Sequence, residues 1–152
     1  MRAALISIEL FALYILENTP QLSPEAGGVK PLFLVAAALS LTSDEVTAAT
    51  IYGAVCGVLT DLESGAVGFF AVTLTVLCYF QSTLLHTAFR RNLPSVWLLS
   101  LGAAAAVFSA DFVIRLVFGT AVWQRCLIRA ALTYLAILPL SVINFRRMSD
   151  EE

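Results

Sequence analysis

The residues of this chain best suited to chemistry are few, and most are acids or arginines set among apolar neighbours. The densest group is Gly53-Ala54-Val55-Cys56-Gly57-Val58-Leu59-Thr60-Asp61-Leu62-Glu63-Ser64-Gly65-Ala66-Val67-Gly68. Residues four apart share a helical face, so Gly53 and Gly57 form a flat strip that ends at Asp61. Such a strip lets another backbone come close, either within the chain's own bundle or as a groove for a partner's helix. Asp61, at the predicted outer end of its helix, is either a solvated loop acid or a buried group with a structural or functional task.

Asp111 and Arg115 are spaced as a helical pair. Arg125 and Arg129, in the first turns of the next helix, fall at about the same depth. An unpaired charge inside a membrane segment costs about 2.5 to 3.5 kcal/mol on insertion scales, so pairing is the expected solution. With Asp61 nearby, Asp111, Arg115, Arg125 and Arg129 are expected to form an ion-pair network that binds the outer ends of three helices. Ligand recognition is the competing use of such charges. Glu9, within the first helix, needs a neighbour or water, and sequence alone names none. His86, the only histidine, stands near the end of a helix without Glu or Cys at ligand spacing, which fits an interfacial residue better than a metal or proton-transfer site.

Cys56, Cys78 and Cys126 lie far apart in apolar surroundings and read as small core residues rather than a zinc, redox or disulfide set. Trp97, Trp123 and Tyr79 read as helix anchors or packing residues. The chain contains no His-Glu-x-x-His, no Gly-x-Ser-x-Gly elbow and no Walker loop, and its single histidine is remote from most acids. Neither catalysis nor a cofactor is expected.

The elements that must position these residues follow from composition. Of 152 residues, 59% are hydrophobic and 13% charged, and the mean hydropathy is +0.86, well above a soluble domain at about 45 to 50% apolar. No Asp, Glu, Lys or Arg occurs between Glu63 and Arg90 or between Arg91 and Asp111. Each gap accommodates the ~20 apolar residues that cross a bilayer. The whole chain, 1–152, is therefore expected to be one all-α membrane bundle of about six transmembrane helices. Nine Lys plus Arg against eleven Asp plus Glu, net charge -2, give no basic face for nucleic acid.

The first helix is expected from about Ala3 to Leu16 and is read as retained rather than cleaved, because Glu9 interrupts its apolar run. Glu17 through Gly28 reads as an outer loop. A short second helix starts near Pro31 and ends near Leu41. Thr42-Ser43-Asp44-Glu45 caps a third, which reaches about Leu62. Further helices are expected from about Val67 to Phe89, Val96 to Phe118 with Gly119 as its C-cap, and Trp123 to Phe145, kinked at Pro139. Arg2, Arg90, Arg91, Arg146 and Arg147 would share one side and Lys30, Arg115, Arg125 and Arg129 the other. Because the two Arg pairs abut helix ends directly, the positive-inside rule places both termini in the cytoplasm.

The stretch Gly53 to Gly68, preceded by Pro31-Leu32-Phe33-Leu34 and followed by a long helix ending in Phe89-Arg90-Arg91-Asn92, resembles the bacterial rod shape-determining protein MreD family. In that family a Pro-led short helix precedes a helix with Gly-x-x-x-Gly running into Asp-Leu, then Ser-Gly and a further Gly opening the next span. Gly53, Gly57, Asp61, Leu62, Ser64, Gly65 and Gly68 match that pattern, although Gly68 follows Gly65 more closely than the pattern has it. The resemblance implies a non-enzymatic inner-membrane component of the cell-elongation machinery. It would associate with an MreC-like bitopic protein and, through it, with MreB filaments and peptidoglycan synthases. It also implies a fold similar to the S-components, the substrate-binding subunits of energy-coupling-factor vitamin transporters. On this reading Gly53, Gly57, Asp61, Gly65 and Gly68 are candidates for partner binding or helix packing. The alternative is a transporter's substrate-binding subunit itself. Such subunits dock through small residues at i, i+4 of the first helix, whereas Ala3, Ala4 and Ala12 form no such pair.

Overall fold

The computed structural model describes residues 2–19, 29–41, 45–64, 68–88, 92–117, 119 and 122–149. They form six helices: α1 (Arg2–Asn18), α2 (Phe33–Ser40), α3 (Val46–Ser64), α4 (Phe69–Thr87), α5 (Leu93–Val117) and α6 (Trp123–Ser149). Three segments, Phe69–Thr87, Leu93–Val117 and Trp123–Arg146, are long and apolar enough to cross a membrane. The expected cap at Thr42 to Asp44, the turn holding Gly65, and the Arg90-Arg91 pair lie outside the described residues.

Polarity is distributed inside out. Leu5, Ile8, Phe11 and Ile15 on α1, and Ile51, Val55, Val58 and Leu62 on α3, form exposed apolar stripes, while Glu17, Asp61, Gln81, Ser100, Asp111, Thr133 and Asn144 are buried. In water this arrangement would expose a large apolar area and desolvate polar groups. In lipid it is the stable one, because the tails solvate the outside and the polar groups must find partners within.

The centre of the molecule is α2. All eight of its residues are buried, and it packs against α1, α3, α4, α5 and α6. Its near-uniform apolarity fits a helix surrounded on all sides. At about 12 Å it is far shorter than the ~30 Å hydrocarbon layer, so its ends must be satisfied inside the protein. Pro31 does not open this helix as expected, since Leu32 is the N-cap and Pro31 precedes it.

The remaining boundaries shift by a turn or less. Glu17 belongs to α1 rather than to a loop. α5 begins before the expected Val96, with Pro94 in its first turn, where a missing N–H costs nothing; the Ser95 and Val96 amides donate to Asn92 O. Gly119 takes φ 69°, and its N–H donates to Leu116 O, as suits a glycine that closes a helix. Pro139 falls inside α6, which runs on past Phe145 to Ser149.

Candidate functional site

The Gly-x-x-x-Gly strip is filled by α4. A Cβ on Gly57 would stand 2.5 Å from Ala71 Cα and 2.6 Å from Phe70 O, and one on Gly53 would stand 2.9 Å from Cys78 Cβ. Only glycine permits this approach. One turn further on, Asp61 extends from the same stripe to the start of α4, where Oδ1 accepts from Phe70 N at 2.9 Å and Oδ2 from Ala71 N at 2.8 Å. The N-cap residue of α4, Gly68, has φ 75° and offers no side chain of its own. Asp61 therefore supplies the cap from the neighbouring helix, where its charge also complements the α4 dipole.

This geometry decides between the alternatives that the strip and Asp61 leave open, and it corrects the placing of Asp61 in an arginine network. The strip is not an open groove, because α4 lies in it. Asp61 is neither a solvated loop acid nor a member of an arginine network, because both its oxygens are held by α4 amides. The physical link between the two findings is distance: the glycines bring α3 close enough to α4 for a short aspartate to reach the first turn.

A second carboxylate, in a stretch whose composition reads as a loop, does comparable work. Glu17, 2% exposed, accepts Leu34 N on Oε2 at 3.0 Å, and Thr133 Oγ1 of α6 accepts Leu32 N at 3.0 Å. Thus α1 and α6 together satisfy the N-terminus of α2, whose N-cap Leu32 has no polar side chain. Glu17 Oε1 has no hydrogen-bond partner among the described residues. At the other end of α2, Gln81 Nε2 and Ser100 Oγ both donate to Leu39 O at 3.4 Å, and Gln81 also donates to Ser100 Oγ at 2.9 Å. Cys78 Sγ lies 3.7 Å from Ala38 O, and Asn144 Nδ2 of α6 donates to Ser40 Oγ at 2.9 Å. The short helix is held at both ends by side chains of four others. No sequence signal marks Gln81, Ser100, Thr133 or Asn144 for this task, since each is an isolated polar residue in an apolar run.

Asp111 and Arg115 form the expected ion pair, with Arg115 Nε 2.9 Å from Oδ2 and 3.1 Å from Oδ1. Arg125 and Arg129 do not join it. Helix α6 turns Trp123, Cys126, Leu127 and Ala130 toward α5, which carries Arg125 and Arg129 roughly half a turn away. Arg125 is exposed, while half-buried Arg129 lies in the electrostatic field of Glu17 and Glu63. The pair thus lies along one turn of α5. Glu9 is half-buried and His86 exposed. Cys56 and Cys78 are core residues, and Cys126 is only partly buried.

Near its N-terminus α5 is joined to α6 by Trp97 Nε1, which donates to Ser141 Oγ at 2.7 Å, and Tyr134 Oη donates to Trp97 O at 3.4 Å. Toward the other end the two helices diverge around an apolar cleft of about 650 Å³. Among the described residues, no three His, Cys, Asp or Glu are grouped to hold a metal ion. The buried acids are engaged by backbone amides or by arginine, an arrangement that fixes helices in place. Compared with known families, curated proteins and solved structures, the chain matches no family model, no curated protein and no solved structure.

Proposed function

We propose that this chain is an MreD-like, non-enzymatic component of the bacterial cell-elongation machinery, resident in the inner membrane as a multi-pass protein with both termini in the cytoplasm. On this reading it crosses the membrane six times in an S-component-like fold. It scaffolds an MreC-like bitopic protein and, through that protein, MreB filaments and peptidoglycan synthases. The observation that carries the reading is the joint use of the residues on which the resemblance rests. Gly53 and Gly57 admit α4, Asp61 caps it, and Gly68 supplies its left-handed entry.

The small-residue strip is used up by that internal contact. A partner's helix therefore meets the lipid-facing surface rather than the strip. Affinity purification of the full chain from native bacterial membranes, with identification of bound proteins, tests the proposal. Recovery of an MreC-like bitopic protein is the expected result. Its absence, together with a melting temperature raised by a vitamin, would transfer the chain to the transporter class. Labelling of cysteines placed in the Arg90 loop and the C-terminal tail tests the topology, and reaction of both from the periplasm would reverse it.

A further inference from the structure

The two ends of α2 differ in charge. At the N-terminus the positive end of the helix dipole faces a carboxylate, since Glu17 accepts Leu34 N. At the C-terminus the last turn carries no basic residue, and the side chains described there, Cys78, Gln81, Ser100 and Asn144, are all neutral. The negative end of a wholly buried helix thus meets polar groups without a cation among them. Such an end attracts positive charge, and the low dielectric inside a membrane bundle strengthens the attraction.

The same place holds a buried oxygen that lacks a donor. Gln81 is 3% exposed, and its Oε1 has no hydrogen-bond partner among the described residues. The bonds from Gln81 Nε2 and Ser100 Oγ to Leu39 O, both 3.4 Å, are longer than the usual ~2.9 Å. A buried amide oxygen left without a partner is costly, so this group calls for one.

Spacing and ligand type select the partner. Turning the Gln81 amide by half a rotation exchanges Nε2 for Oε1. That oxygen then stands 2.9 Å from Ser100 Oγ and 3.4 Å from Leu39 O, which are themselves 3.4 Å apart. Such a triangle is one face of a coordination shell, because ligands ~2.4 Å from an ion and at right angles to one another lie about 3.4 Å apart, a fit for Na⁺ and the similarly sized Ca²⁺. Ca²⁺ sites draw on carboxylates, whereas every ligand here is neutral, which favours the monovalent ion. K⁺ is larger and needs its oxygens further apart. A water molecule could also meet Gln81 Oε1 but brings no net charge to the helix end.

We propose that the C-terminal end of α2 binds one Na⁺ ion through Leu39 O, Gln81 Oε1 and Ser100 Oγ. Ser40 Oγ and the Asn144 carboxamide, joined at 2.9 Å, offer further oxygens at the same end of the helix. Short helices that end inside a membrane bundle coordinate Na⁺ through such C-terminal carbonyls. The bound ion complements the α2 dipole opposite Glu17 and ties α4 and α5 to the central helix. The site rests on the packing of α2 and is independent of the cell-elongation reading.

Ion binding by the full chain in detergent tests the proposal, with NaCl, KCl or choline chloride added at equal concentration. NaCl is expected to raise the melting temperature in a saturable manner where the other two salts do not, and radioactive Na⁺ should be retained at one ion per chain. Gln81→Leu and Ser100→Ala each remove one ligand oxygen and should weaken Na⁺ retention at least tenfold, the loss that even an indirect partner of a metal ion causes. Ser100→Ala, which deletes a single oxygen, decides the matter where Gln81→Leu does not fold. Equal melting curves in the three salts overturn the assignment and leave Gln81 Oε1 to a water molecule. So does Na⁺ retention that survives both substitutions, or that Glu17→Gln abolishes while Gln81→Leu leaves it intact, because the ion would then sit elsewhere.

Discussion

The α3–α4 and α5–α6 hairpins have comparable ingredients and opposite outcomes. Each joins two helices at the same end of the bundle, contains a glycine on the first helix and bears a buried aspartate near its outer turn. In α3–α4 the glycines face the neighbour and draw the backbones together until Asp61 reaches the α4 amides. In α5–α6 Gly102 faces open space, Asp111 turns back to Arg115 on its own helix, and the cleft remains between the two. What separates a closed hairpin from an open one is where the small residue points and whether the acid crosses to the second helix.

Substitutions sharpen that contrast, each read as a thermal melting shift in detergent. Gly57→Leu is the largest, since even the first carbon of the new side chain would overlap Ala71 and Phe70; a loss of about 3 kcal/mol or more is expected, in line with severe overpacking. An unchanged melt would mean that α3 and α4 can separate. Asp61→Ala strips two buried amides of their acceptor and should cost about 2 kcal/mol. Asp61→Asn should recover part of this, because one carboxamide oxygen remains to accept. Asp111→Ala should cost only about 1 kcal/mol, because partly exposed Arg115 can turn to solvent or headgroups. A loss as large as that of Asp61→Ala would show that this pair also joins helices. Gly102→Ala has the opposite sign: the added methyl meets nothing within 4 Å, so better helix propensity should stabilise by about 0.5 to 1 kcal/mol. Destabilisation there would mean that α5 meets another surface at Gly102.

Much of this was legible in the residues themselves. The charge-free runs before Arg90 and Asp111 marked α4 and α5, Gly119 marked the end of α5, and the spacing of Asp111 and Arg115 foretold their pair. The strip at Gly53 and Gly57 was visible, yet its occupant was not, because a small-residue face records that something comes near without recording what. Depth along the helix puts Arg125 and Arg129 level with the pair, whereas the angle around it turns them away. Glu17 was hidden by polar neighbours that imitate a loop, and the residues holding α2 were hidden by separation. Gln81 lies 42 residues from Leu39, and no local periodicity connects them.

The central helix also constrains how the chain is made. The hydroxyl that accepts the Leu32 amide lies 101 residues later, and the amide that reaches Ser40 lies 104 residues later, both on α6. A ribosome thus releases α2 long before its last two fasteners exist, and the half-built bundle must shelter an incompletely bonded helix until translation ends. Chains cut short ahead of Thr133 would lack both α6 partners of α2, leaving the Leu32 amide without its acceptor at membrane depth.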